Sequence, residues 1–343
     1  MSEFYTVTPR SAARLISEII EAGLVPHLVS SPGMGKSSII GQVSDDFNLF
    51  PIDHRMSTSE PTDMNGLPRF IEDYAEFVPF RGIFPTDDRP IPKGKDGFCL
   101  ILDEFMSMKR EMQAGSYKLI LDRMVGQKHL HPNTAIITAS NMMTDRAIVN
   151  PMSTAMQSRL IHLEMVISHE EWLEDVAIAQ KYDGRLIAFL SQYPSKLMDF
   201  KPDHEEKSFC CPRTWEFMNK LVKGKDVTDC RAPMYAGTIT SGVAAEFIQF
   251  CKIYANKISV DRICQDPLTA PLPDSPSLSW ATICHMLELA DTKNFTHLAA
   301  YADRFTADFR ILFYRTIRLR IPTLFNHPAF INGQIAIGKY IHG

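Results

Sequence analysis

The segment Ser30-Ser31-Pro32-Gly33-Met34-Gly35-Lys36-Ser37 brings two glycines, a lysine and several hydroxyls together between an apolar run and a helical pattern. That combination suits a phosphate group. Backbone N–H groups of a tight glycine turn and of the following helix N-terminus converge on one place, and the helix dipole favours an anion there. Lys36 can reach the β- and γ-phosphates of a nucleotide, and the Ser37 hydroxyl can reach Mg2+. Pro32, Gly33, Met34, Gly35 and Ser38 complete the candidate phosphate contacts. The usual pattern is G-x-x-x-x-G-K-S/T, and Ser30 stands where its first glycine belongs. If the backbone there needs a positive φ, serine costs on the order of 1 kcal/mol.

A second constellation is Cys99-Leu100-Ile101-Leu102-Asp103-Glu104. An apolar strand delivers two carboxylates to its C-terminal edge, where ligands sit in open α/β sheets. Asp103 can hold Mg2+ through water, and Glu104 can orient and deprotonate an attacking water. Asn141 follows a third apolar run and can hydrogen-bond that water or a γ-phosphate. Arg159 and Arg213 are each able to neutralise charge that develops on a transferring phosphoryl group.

Regular elements must position these groups. Thr8 and Pro9 open a helix over residues 8–22, and Gly23 ends it. Short apolar runs at 24–29, 98–102 and 135–139 read as strands, and Ile161–Met165 as a fourth. Residues 108–123 read as a helix. Strands alternating with helices predict an α/β core, a parallel sheet with helices on both faces. Residues 51–97, rich in Pro, Gly and Asp, predict loops, a short helix and a hairpin. After about residue 168 the pattern is helical, over 169–180, 185–191, 212–222, 237–255, 280–289 and 295–321, with a proline-rich connection at 266–279.

Composition bounds the rest. The 343 residues are 45% hydrophobic and 22% charged, which suits a globular chain of two or three domains. A net charge of −4 gives no global attraction to nucleic acid or anionic membrane. Seven scattered cysteines without a CxxC pair argue against zinc and for a reducing compartment. His129 and His131 lack a third ligand. No apolar run reaches the length of a membrane span and the N-terminus lacks a signal pattern, so the expected location is cytoplasmic. Residues 304–320 interleave Arg304, Arg310, Arg315, Arg318 and Arg320 with Phe305, Phe309, Phe313 and Ile317. The apolar positions form a core stripe, and the arginines read as a solvated or subunit-contact face.

The order of these features resembles the AAA+ ATPases: phosphate loop, Asp-Glu strand end, strand-end Asn, Arg before the last strand, Pro-Arg in a helical region. Further segments are similar to the MoxR-like branch. They are Glu60-Pro61-Thr62-Asp63-Met64-Asn65-Gly66-Leu67-Pro68, Asp103-Glu104-Phe105 with Gln113, and Asp122-Arg123-Met124-Val125-Gly126 with His131-Pro132-Asn133. Ala139-Ser140-Asn141 with Asp145-Arg146, Ser158-Arg159-Leu160-Ile161-His162-Leu163 and Trp172 follow. The resemblance covers about residues 8–225, and the C-terminal third carries no family motif.

The resemblance implies an AAA+ core over 1–167 with an insert at about 60–97, an α-helical lid over 168–260 and a helical extension over 261–343. It implies ATP and Mg2+, although the motifs themselves do not separate adenine from guanine. Arg159 matches an arginine finger acting on the neighbouring subunit's ATP, Arg213 a sensor arginine acting in cis, and Asn141 the first sensor. A homo-oligomeric ring, most often a hexamer, follows. So does a protein client that is remodelled or assembled, for which a protein with a von Willebrand factor A domain is one class. The alternative reading is a nucleic-acid motor or loader using the arginine-rich C-terminal segment.

Overall fold

The computed structural model describes residues 5–80, 82–145 and 150–341, without the side chains of Ala114 and residues 339–341. The chain divides into two compact units, Met1–Ser168 with Lys201–Asp203, and His169–Phe200 with His204–Gly343.

The first unit carries the strands β1 (Thr6–Val7), β2 (Pro26–Val29), β3 (Leu49–Arg55), β4 (Leu67–Ile71), β5 (Tyr74–Val78), β6 (Gly97–Asp103), β7 (Met124–Val125), β8 (Lys128–His129), β9 (Thr134–Ser140) and β10 (Ile161–Met165). Six of them form one parallel sheet in the order β1-β10-β2-β9-β6-β3. The apolar runs expected as strands are β2, β6, β9 and β10. β6 is buried from Gly97 to Leu102, as a strand covered on both faces must be. Gly97 permits a close approach: a Cβ there would meet the Asn133 carbonyl oxygen at 2.2 Å.

The strand β3 was not legible. Pro51, Asp53, His54 and Arg55 break its apolar pattern, and residues 51–97 read as loops, a short helix and a hairpin, with no strand of the main sheet among them. It pairs with β6 at one edge of the sheet, from Leu49 opposite Gly97 to Arg55 opposite Asp103. An edge strand tolerates both proline and polar side chains, because one side of its backbone has no ladder to complete.

Helix α1 (Pro9–Glu21) starts at Thr8, whose hydroxyl accepts from Ser11 N at 3.4 Å, and buries Ala12 and Ile16 toward β2 and β10. Helix α2 (Lys36–Asp46) buries Ile40 and Val43 beside β3. The expected insert holds α3 (Pro61–Asn65) and the antiparallel hairpin β4–β5. That hairpin exposes Leu67, Tyr74, Phe77 and above all Phe70, at 82%. Helix α4 (Arg110–Tyr117) runs on into a wider turn at Lys118–Asp122, and α5 (Thr154–Gln157) precedes β10.

The second unit is helical. It contains Gly184–Gln192, Pro212–Val222, Ala232–Ile239, Ser241–Tyr254, Val260–Gln265, Pro276–Leu289, Phe295–Ala302, Ala307–Arg320 and Pro328–Ile341. Two continuous helices expected from periodicity are each broken. Residues 237–255 break at Thr240, whose φ is +86°, whose N–H donates to Ser208 Oγ at 3.1 Å and whose hydroxyl accepts from Val243 N. Residues 295–321 break at the turn 303–306. The final helix was not anticipated.

The arginines of 304–320 are also reassigned. Arg304 donates to the carbonyls of Pro267 and Ala270, and Arg310 pairs with Asp303. Arg315 pairs with Glu170 and Glu174, and Arg320 donates to Ile178 O. These four are internal ties of the helical unit, and Arg318 is the exposed one.

One buried polar group sits in the sheet just upstream of the phosphate loop. His27 on β2 is 1% exposed, and its Nδ1 lies 2.7 Å from Thr138 Oγ1. The Thr138 hydroxyl donates to Pro26 O, so the imidazole Nδ1–H donates to Thr138. Burial, and then His162 beside it, push the His27 pKa from 6.5 down to about 3. The fold therefore holds a neutral imidazole that the unfolded chain protonates near pH 6.5. Its contribution is fully present above that pH and is lost as pH falls toward about 3. Between pH 6.5 and 4.5 the loss is about 2–3 kcal/mol. Urea unfolding across this range is expected to show that slope in the wild type and a shallower one in His27→Leu.

Candidate functional site

Parallel strands carry their C-terminal ends to one edge of a sheet, and the candidate residues follow from that geometry. β2 ends at Val29 and β9 at Ser140, which are register partners, and Ser30 N donates to Ser140 O at 3.2 Å. The loop after β2 and the residues after β9 are thereby tied side by side.

In the loop, Gly33 (φ +77°) and Gly35 (φ +89°) take left-handed backbone conformations that an L side chain resists. A Cβ at Gly35 would meet nothing within 4 Å, so conformation rather than crowding selects that glycine. Gly35 caps α2 without a side-chain hydrogen bond, leaving the first amides of an 11-residue helix for a ligand. Ser37 and Ser38 are exposed on the first turn, whereas Met34 is buried beneath the loop and Pro32 half-buried. Ser30 is absent from the positive-φ residues, so the cost expected for a serine in place of glycine does not arise. Its side chain is fully buried.

Lys36 Nζ donates to Ser30 O at 2.9 Å, Ser30 Oγ at 3.1 Å, Ser31 O at 3.4 Å and Asn141 Oδ1 at 2.9 Å. The ammonium thus joins the loop to the strand-end amide 105 residues away.

β6 brings up the carboxylates. Asp103 is half-buried and accepts from Glu104 N at 2.8 Å. Glu104 has φ +53°, a left-handed turn that costs a non-glycine residue about 1 kcal/mol and redirects the chain as the strand ends. Its carboxylate accepts from the Ser57 hydroxyl. Asp53, one step along β3, has its pKa raised by partial burial and then by the charge of Asp103. An edge with such mutual repulsion gains from a bound cation. Ser57 and Asp53 were missed in the sequence because β3 was missed; a polar side chain on the strand beside an Asp-Glu pair is the signal that would have found them.

Arg159 has no described hydrogen bond to this cluster. Arg159 donates to Ala155 O and places its guanidinium 5.7 Å from the Tyr117 ring centre, contacts outside the phosphate loop. Arg213 is exposed on the first turn of Pro212–Val222, in the helical unit. Arg146 falls outside the described residues. Among the described residues no three His, Cys, Asp or Glu side chains cluster as a metal site, and no helix is long and apolar enough to cross a membrane. The two residues expected as magnesium donors stand exposed on the first turn of α2, Ser37, and half-buried at the end of β6, Asp103.

The Ser57 contact has a measurable consequence. Ser57→Ala removes the only described hydrogen bond to the Glu104 carboxylate, and nucleotide turnover is expected to fall about tenfold through lost orientation. Nucleotide affinity should stay within about twofold. A matching loss of affinity would mean that Ser57 shapes the phosphate loop instead.

No family model matches the chain, and a search of curated proteins finds no match. Similar solved structures include a proline-to-glycine variant of RuvB from Thermotoga maritima, with 15% identity over 76% of this chain and 75% of that one and a TM-score of 0.41. The RuvB Holliday junction branch migration motor of the same organism has 14% identity, 74% and 76% coverage and a TM-score of 0.36. A provisionally named ATPase from Cytophaga hutchinsonii has 12% identity, 88% and 79% coverage and a TM-score of 0.35. At these values the likeness is distant, and the site's own geometry carries the functional reading.

Proposed function

We propose that this protein is an ATPase of the AAA+ type, related to the MoxR-like branch, which binds Mg-ATP and uses its hydrolysis to remodel or assemble a protein partner. The carrying observation is the 2.9 Å contact between Lys36 and Asn141, with Asp103 and Glu104 on the adjoining strand. A phosphate-binding lysine, a strand-end amide and a tethered carboxylate meet at one sheet edge, although far apart in sequence. The open glycine loop and orphan helix amides fit a triphosphate, and Ser37 with Asp103 fits its magnesium ion. Bound Mg-ATP would supply the electrophilic phosphoryl group. The chain's part is to hold the phosphates with Lys36 and the amides of residues 33–38, and to take a proton from water at Glu104. Asn141 would position that water.

Arg159 is read as acting in trans, on ATP held by the next subunit of a ring, for which a hexamer is the leading size. In its own unit it is half-buried, with its guanidinium on Ala155 O and over the Tyr117 ring. Arg213 is read as a lid arginine acting in cis. The hairpin bearing Phe70, Tyr74 and Phe77 offers an apolar contact for the client, for which a von Willebrand factor A domain is one class suggested by the family resemblance. The rival reading, a motor on nucleic acid, is weakened because four of the five arginines in 304–320 serve as internal ties.

Glu104→Gln is expected to bind ATP while losing turnover by about a hundredfold or more, and Lys36→Ala to lose both. Undiminished turnover in Glu104→Gln would remove that residue from catalysis. Mixing Arg159→Ala with Lys36→Ala chains should restore turnover that neither has alone, since each supplies what the other lacks. Continued silence of the mixture would argue against sharing of the site between subunits.

A further inference from the structure

The residue that departs from the usual phosphate-loop pattern also has a side chain that reaches the loop lysine. Ser30 is fully buried, and its hydroxyl donates to Ser31 O at 3.1 Å. With its hydrogen so used, Oγ turns a lone pair to Lys36 Nζ, 3.1 Å away. The Ser30 carbonyl accepts from the same ammonium at 2.9 Å, and so do Ser31 O at 3.4 Å and Asn141 Oδ1 at 2.9 Å. An ammonium has three hydrogens, and four oxygens within reach already share them. A glycine at position 30 would retain the carbonyl and lose the hydroxyl.

From this geometry we propose that Ser30 is a positioning residue that holds Lys36 withdrawn into its own loop, so that nucleotide binding is an exchange of partners at Nζ. The inference rests on the nucleotide-binding reading given above. To reach a β- or γ-phosphate the ammonium must leave some of these oxygens, and the Ser30 hydroxyl is the partner that the usual glycine lacks. Its bond stabilises the empty loop and opposes the loaded one. Serine at this position therefore lowers affinity for ATP by stabilising the competing state, with no strain in the backbone. Because Asn141 Oδ1 shares the same ammonium, departure of Lys36 also frees the Asn141 side chain. The two events are coupled through one charged group.

The test compares wild type with Ser30→Gly and Ser30→Ala in two measurements. The first is the Kd for Mg-ATP. Both variants are expected to bind about three- to tenfold more tightly, the effect of removing one charge-assisted hydrogen bond from the unliganded state. The second is the rate at which Lys36 is acylated by an amine-directed reagent in the nucleotide-free chain, read by peptide mass. It should rise in both variants. Alanine keeps the Cβ and glycine removes it, so agreement between them assigns the effect to the hydroxyl rather than to packing. A variant that merely folds badly would lose affinity, the opposite sign. Unchanged or weaker binding in both variants, or unchanged Lys36 reactivity, overturns the proposal. If wild type and Lys36→Ala alike fail to bind Mg-ATP, the nucleotide reading itself fails, whereas binding that depends on Lys36 but not on Ser30 defeats only this inference.

Discussion

The candidate site depends on a single charge held between two strand ends. The Lys36 ammonium joins the loop after β2 to Asn141 after β9, and the Ser30 N to Ser140 O bond fixes those strand ends beside each other. Both contacts exist only because β2 and β9 are parallel neighbours in register. A phosphate loop on an isolated hairpin could present the same amides to an anion, but would have no strand-end amide to share its lysine.

The same constraint explains the acidic side of the cluster. β6 lies next to β9 and ends in Asp103 and Glu104, and β3 on its other side contributes Asp53 and, just beyond its end, Ser57. The partial burial and the Asp103 charge that raise the Asp53 pKa, and the left-handed turn at Glu104, are unfavourable in the empty protein. Strain and like charge tend to collect where a structure is arranged for a ligand. The core beneath is ordinary by contrast: β6 is buried along almost its whole length, and the one polar group deep in β2, His27, is kept neutral.

The helical unit obeys a different logic. Four of the five arginines in 304–320 are drawn into carboxylates and carbonyls of its own chain, which converts an apparent basic face into internal bracing. Thr240 shows the same preference for tertiary partners over local regularity. A β-branched residue at φ +86° is costly, yet its N–H and hydroxyl find Ser208 and Val243, and the chain turns where periodicity alone would continue a helix.

What the sequence determined by itself was the set of central strands and the motifs at their ends. A strand buried on both faces must be continuously apolar, and the glycine, lysine and acidic residues at its end follow the chain without intermission. The apolar runs at 24–29, 98–102 and 135–139 could therefore be read as strands, with Lys36, Asp103, Glu104 and Asn141 as candidates beyond their ends. What the tertiary structure decided was every feature that depends on a neighbour from elsewhere in the chain. β3 is a strand because β6 offers it a ladder, not because its residues favour one, and with it came Ser57 and Asp53. The arginines of 304–320 acquire their meaning from Glu170, Asp303 and carbonyls that no local pattern reveals. Ser30, which in the sequence is a flaw in a motif, becomes a ligand of Lys36 once the loop closes over it. A hydrogen bond is fixed by distance and direction in space, and spacing along the chain predicts neither when the partners lie on different elements.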